Sequence, residues 1–154
     1  MLSKEALKNY KIDFWTGFKK RMQKHKSSSG KKTNWLNYKT NLSNIYVRME
    51  TDKRTIRFCF DFQLKDNEIR EIVWEQMHEL KTVLESEMGE EAVWYENYPS
   101  DHVHYLNRIF WQKEGLNYLN QEDTEEIYAY FEHKLLCFDR FYDTYQEILI
   151  NLIK

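Results

Sequence analysis

Hydrophobic positions along this chain recur with two periods, and each period predicts its own elements. From Thr55 to Leu64, Ile56, Phe58, Phe60, Phe62 and Leu64 alternate with Arg57, Cys59, Asp61 and Gln63. Side chains alternate faces along a strand, so this is a half-buried antiparallel strand. Ile45, Val47 and Met49 give a shorter partner over residues 44–50, with Thr51-Asp52-Lys53-Arg54 as the hairpin turn. The helical period is clearest near the end. Ile127, Phe131, Leu135, Phe138, Tyr142, Tyr145, Leu149 and Leu152 hold one stripe over residues 124–152, beside an acidic stripe of Glu125, Glu132, Asp139, Asp143 and Glu147. A first helix over residues 4–25, capped by Ser3, carries Leu7, Phe14 and Phe18, with Lys4, Lys8, Lys11 and Lys19 on the adjoining quadrant. Asp66 caps a further helix that runs to Met88 and stops at Gly89. Its expected buried face is Ile69, Ile72, Val73, Leu80, Val83 and Leu84, opposite Glu68, Glu71, Glu75 and Glu79. A second strand pair is expected over 92–98 and 103–112, turning at Pro99-Ser100-Asp101.

The resulting order, α-ββ-α-ββ-α, predicts an α+β fold: a mainly antiparallel four-stranded sheet with the helices packed on one face. Strands joined by tight turns do not build the parallel sheet of a doubly wound nucleotide fold. A length of 154 residues suits one domain, 1–154, divided into a basic helix and loop (1–43) and a sheet-and-helix core (44–154).

Composition sharpens this picture in two places. Aromatic residues make up 16% of the chain, and most are expected in the core because each buries so much surface. Charge is divided unevenly. Residues 1–54 hold 14 Lys/Arg against 4 Asp/Glu, and residues 55–154 hold 9 against 21. Such a split points either to a basic region for an acidic partner or to halves that neutralise each other. No apolar run of membrane-spanning length and no signal-peptide pattern is present, and two distant cysteines fit a reducing compartment, so a cytoplasmic location is expected.

Motifs of known chemistry are few. Gly30-Lys31-Lys32-Thr33 lacks the upstream glycine of a phosphate loop and runs from helix toward strand, the reverse of the required order. Glu75-Gln76-Met77-His78 is a single copy of a di-iron half-motif that needs two. Glu79-Leu80-Lys81 has the letters of a nuclease Glu-x-Lys pair but lies in a predicted helix. His102 and His104 share one side of an extended segment, and with Asp61 or Asp101 they form the alternative candidate, a small metal-assisted hydrolase or nuclease. Cys59 and Cys137 are read as small packing residues, with a histidine partner in space left open. No catalytic residue, cofactor or metal ligand is assigned.

The basic, aromatic segment Gly30–Lys39 carries the main candidate. Lys31, Lys32 and Lys39 offer charge for phosphates, Trp35 and Tyr38 offer rings for stacking on unpaired bases, and Arg48 extends the patch. The competing reading packs both rings into the core and turns the lysines toward the acidic helix stripes, within one chain or across a homo-oligomer. The expected function is a non-catalytic binding domain, with nucleic acid or an acidic protein surface, including a second copy, as partner.

Phe14-Trp15-x-x-Phe18, Trp35-Leu36-Asn37-Tyr38-Lys39-Thr40, Ile45-Tyr46-Val47-Arg48-Met49 and Asp139-Arg140-Phe141 together resemble a family of bacterial domains of unknown function. Ile69-Arg70, Glu75-Gln76, Lys81-Thr82, Glu85, Trp94, Arg108-Ile109 and Phe131 extend the resemblance over nearly the whole chain. It implies a domain found alone or appended to restriction-like nuclease domains, and so an association with DNA processing; it implies no catalytic residues. Asn41 stands where that family's glycine is expected, so a different turn is expected there.

Overall fold

A computed structural model describes residues 2–153. Its sheet is organised by the strictly alternating segment. β1 (Ile45–Thr51) and β2 (Thr55–Phe62) form the expected hairpin, and β4 (Asn107–Glu114) lies on the other side of β2, followed outward by β3 (Val93–Tyr95). All three pairings are antiparallel, in the order β1-β2-β4-β3. The architecture is the α+β class read from the pattern.

One face of the sheet is covered by helices because one face is apolar. α4 (Thr124–Ile153) lies against the centre, with the Phe138 ring 5.8 Å from Phe58 and 4.7 Å from Phe60. α1 (Lys4–Met22) flanks it on the β1 side, setting Phe14 and Phe18 against Tyr128 and Phe131. The approach is close at Gly17, where a Cβ would stand 2.5 Å from the Tyr128 hydroxyl. On the β3 side α2 (Asn67–Glu79) and α3 (Lys81–Met88) bring Trp74 to 6.0 Å from Phe62 and 5.6 Å from Trp94. Ser3 and Asp66 cap their helices through side-chain oxygens, and Gly89 ends α3 in the left-handed region at φ +76°.

Three expectations change. The helix expected over 66–88 breaks at Leu80 (φ −90°, ψ 1°) into α2 and α3. Its buried line runs through Val73, Trp74, Met77, Leu84 and Met88, while Ile72 and Val83 are 48% and 38% exposed. At 100° per residue Ile72 lies about 140° from Met77 and Val83 about 100° from Leu84, so with the large Trp74 ring seated inward both turn outward. The second strand pair is also shorter than expected. Asn97, at φ +56°, turns the chain off the sheet after three residues of β3, and β4 starts only at Asn107. Finally, Asn41 sits at φ +64°, the left-handed region that glycine enters freely and asparagine tolerates, so a glycine-like turn is kept. No helix among the described residues is long and apolar enough to cross a membrane.

Candidate functional site

α1 ends at Met22, and the chain loops through residues 23–44 before entering β1. Its fastening decides where the basic residues point. Asp139 of α4 is buried and serves as the anchor. One oxygen accepts from the Ser28 backbone N–H (2.6 Å) and hydroxyl (3.0 Å), the other from the Tyr38 hydroxyl (2.6 Å). Burial, reinforced by the adjacent Asp139 carboxylate, raises the Tyr38 phenol above its ordinary pKa and keeps it a donor. Trp35, in a 3₁₀ turn spanning Trp35–Asn37, is only 4% exposed and donates its indole N–H to the His25 carbonyl at 3.2 Å. At the loop's start Glu132 accepts from Arg21 Nε (3.0 Å) and pairs with His25 Nε2 (2.7 Å). Partial burial alone would raise Glu132, but the His25 and Arg21 contacts outweigh it and hold the carboxyl below its ordinary value.

Those fastenings leave the lysines outside. Lys31, Lys32 and Lys39 border one groove of about 490 Å³, whose floor includes Tyr38, Asp139 and Asp143. Lys32 and the Thr33-Asn34 segment also line a neighbouring hollow of about 730 Å³ with Lys19 and His25. Of the 14 Lys/Arg in residues 1–54, only Arg21, Lys24 and Arg48 enter ion pairs among the described residues. Lys31, Lys32 and Lys39 are therefore not neutralised by the acidic helix stripes. The stacking role expected of Trp35 and Tyr38 is corrected: one ring is sealed in the core, and the other is half-buried against Phe138 and Tyr142 with its hydroxyl taken by Asp139.

Arg48 does not join the groove. It projects on the sheet face away from the helices, where Asp61, with no exposed side-chain surface, is held by two guanidiniums. Arg48 Nη1 reaches Oδ2 at 2.7 Å, and Arg108 reaches Oδ1 through Nε at 2.8 Å and Oδ2 through Nη2 at 2.9 Å. Arg108 also grips Glu50 at 3.0 and 3.1 Å and lies under the Tyr98 ring, 4.4 Å from its centroid. Burial lowers the Arg108 pKa, but the contacts to Asp61 more than compensate, and it stays charged. Cys59 lies beside this network with its thiol raised well above the ordinary value by burial. The register explains the assembly: Asp61 faces Tyr46 on one side and Arg108 on the other, and Glu50 faces Arg57.

An Asp61 whose oxygens already accept from two arginines is poorly suited to a metal. His102 and His104 lie exposed in the 96–106 connection, and no group of three or more His, Cys, Asp or Glu able to hold a metal occurs among the described residues. The structure therefore does not assemble the candidate hydrolase set of Asp61, Asp101, His102 and His104. It does join a pair not foreseen in the sequence: His133 Nε2 lies 3.5 Å from Cys137 Sγ, one helical turn along α4, and Arg140 Nη2 lies 3.2 Å from the same sulfur. The four-residue spacing was its available signal.

No curated protein and no solved structure matches the chain. Residues 10–146, which contain the anchored loop, the whole sheet and most of α4, match the family described as a domain of unknown function (DUF4268), and the chain belongs to that family.

Proposed function

We propose that this is a non-catalytic binding domain that contacts nucleic acid through the basic loop, gripping phosphates rather than stacking on bases. The observation that supports it is the placement of Lys31, Lys32 and Lys39 around one groove, without carboxylate partners among the described residues, while the neighbouring rings serve the core. Lysine ammonium groups recognise phosphate as point charges and carry little sequence information, so affinity should depend strongly on salt and weakly on sequence. The resemblance to domains appended to nucleases fits a polyanion-holding role.

A titration of duplex and single-stranded DNA and RNA over a range of salt concentrations tests this reading. Three phosphate contacts give a slope of log affinity against log salt of about −2.7 on duplex DNA. The double variant Lys31→Glu/Lys32→Glu should lose about tenfold or more in affinity and bring the slope near −1. Absence of binding at low salt, or indifference to the double variant, removes nucleic acid as the partner. The competing acidic partner is a second copy presenting its exposed Glu68, Glu71, Glu75 and Glu79 row. A mass measurement at low salt that finds a dimer, lost in the double variant, would decide for it.

A further inference from the structure

A different surface, the outer edge of β1, has the features of a peptide-docking site. Two hydrogen bonds fix the direction of its backbone groups. The Asn44 carbonyl accepts from Gln63 N–H at 2.7 Å, and Asp52 N–H donates to the Thr55 carbonyl at 3.0 Å. Even-numbered positions therefore turn their backbone groups toward β2, and Ile45, Val47, Met49 and Thr51 turn theirs away. No strand lies on that side. The Thr40 hydroxyl occupies the Ile45 carbonyl at 2.8 Å, but among the described residues no loop or side chain takes the outward groups of Val47, Met49 or Thr51. Edge strands are ordinarily blunted by short length, proline or a bulge; the opposite edge, β3, spans only three residues, whereas β1 spans seven with none of these devices.

The edge also has a floor. A groove of about 410 Å³ runs between β1 and the side chains of Trp15 and Leu36. Neighbouring helices sit about 8–10 Å apart and neighbouring strands about 4.7–4.9 Å. With α4 beneath β2, α1 therefore runs beneath the position a fifth strand would take. A whole second copy paired through its own β1 would need its own α1 in that same layer, so the space suits a single extended segment. The groove's own Arg48 and Glu50 are paired with Asp61 and Arg108, so its charge preference comes from α1: Lys11 and Lys19, four residues either side of Trp15, are both exposed and enter no ion pair among the described residues.

We propose that the free edge of β1 binds an extended acidic peptide of a partner protein as a fifth strand. Its backbone pairs with Val47, Met49 and Thr51. An apolar side chain on its helix-facing side rests on Trp15 and Leu36, and carboxylates two positions before and after it, on that same side, lie near Lys11 and Lys19. This surface is distinct from the lysine-lined groove, with Asn37 on the border of both.

Selection from a displayed random decapeptide library against the full chain tests the proposal. Enriched sequences should carry acidic residues two positions either side of an apolar one, and the synthetic peptide should protect the Val47 and Met49 amides from hydrogen exchange. Met49→Pro removes an outward N–H that the β1–β2 ladder does not use, so it should weaken binding at least tenfold with the melting temperature little changed. Should that variant unfold, the peptide itself supplies the control. N-methylation of one alternate set of its amides should abolish binding, and methylation of the other set should leave it intact. Lys11→Glu should weaken it several-fold, while Lys31→Glu/Lys32→Glu should leave it unchanged. No enriched peptide, enrichment of basic peptides, or equal tolerance of both methylation patterns would overturn the proposal.

Discussion

The molecule has two basic clusters that differ in what surrounds them. On the open sheet face, Arg48 and Arg108 are matched oxygen by oxygen to Asp61 and Glu50. Around the loop groove, Lys31, Lys32 and Lys39 meet only Asp139, whose oxygens accept from Ser28 and Tyr38, and the exposed Asp143. Residue type alone would group Arg48 with the three lysines. The difference lies in location: a cation between strands faces a cross-strand partner fixed by register, whereas a cation on an anchored loop faces water. The first cluster stabilises the fold, and the second remains available.

The contrast breaks most visibly at Asp61. Asp61→Ala leaves the nearly buried Arg108 without its main partner and should cost about 3–5 kcal/mol in urea unfolding. A loss below about 1 kcal/mol would mean that the sheet face is not held by this network. Next comes the loop anchor. Asp139→Ala removes three hydrogen bonds to one carboxylate and should cost about 1.5–3 kcal/mol, with faster amide exchange at Ser28. Unchanged exchange at Ser28 would show that the loop is held by Trp35 instead.

Acid provides a third measure. Glu132 has its carboxyl pKa lowered in the folded state, so the stability it contributes is present above its unfolded value near 4.5 and is lost as pH falls through the lower folded value. Glu132→Gln should flatten the pH dependence of the melting temperature in that acidic window and lower the melting temperature by a near-constant amount at neutral pH and above. The smallest effect is expected at Asp143, the exposed carboxylate of the groove. Asp143→Asn should strengthen nucleic-acid binding about two- to threefold at low salt; weakening would show that the ligand does not lie along Lys31 and Lys39.

Where local pattern and tertiary demand agreed, the sequence was sufficient. The alternation around Phe58 and Phe60 and the stripe through Phe138 and Tyr142 define both layers of the core, and Gly89 marks a helix end. The break at Leu80 carries no glycine or proline, and the choice between Ile72 and Trp74 as inward residues was made by Phe62 and Trp94, which are distant in sequence. The same limit governed the candidate site. Composition left open whether the loop lysines stood free or faced the acidic helix stripes. The inward turn of Trp35 and Tyr38 depended on acceptors at His25 and Asp139, and no spacing rule joins position 38 to position 139.

The placement of α4 has a consequence for biogenesis. Synthesised after the other elements, it supplies Phe131 to α1 and Phe138 to the centre of the sheet, so neither contact can form before residues 124–153 have been made. Until α4 emerges, the Phe58 and Phe60 face of the sheet lacks its central cover, the interval in which chaperones would find the most to hold.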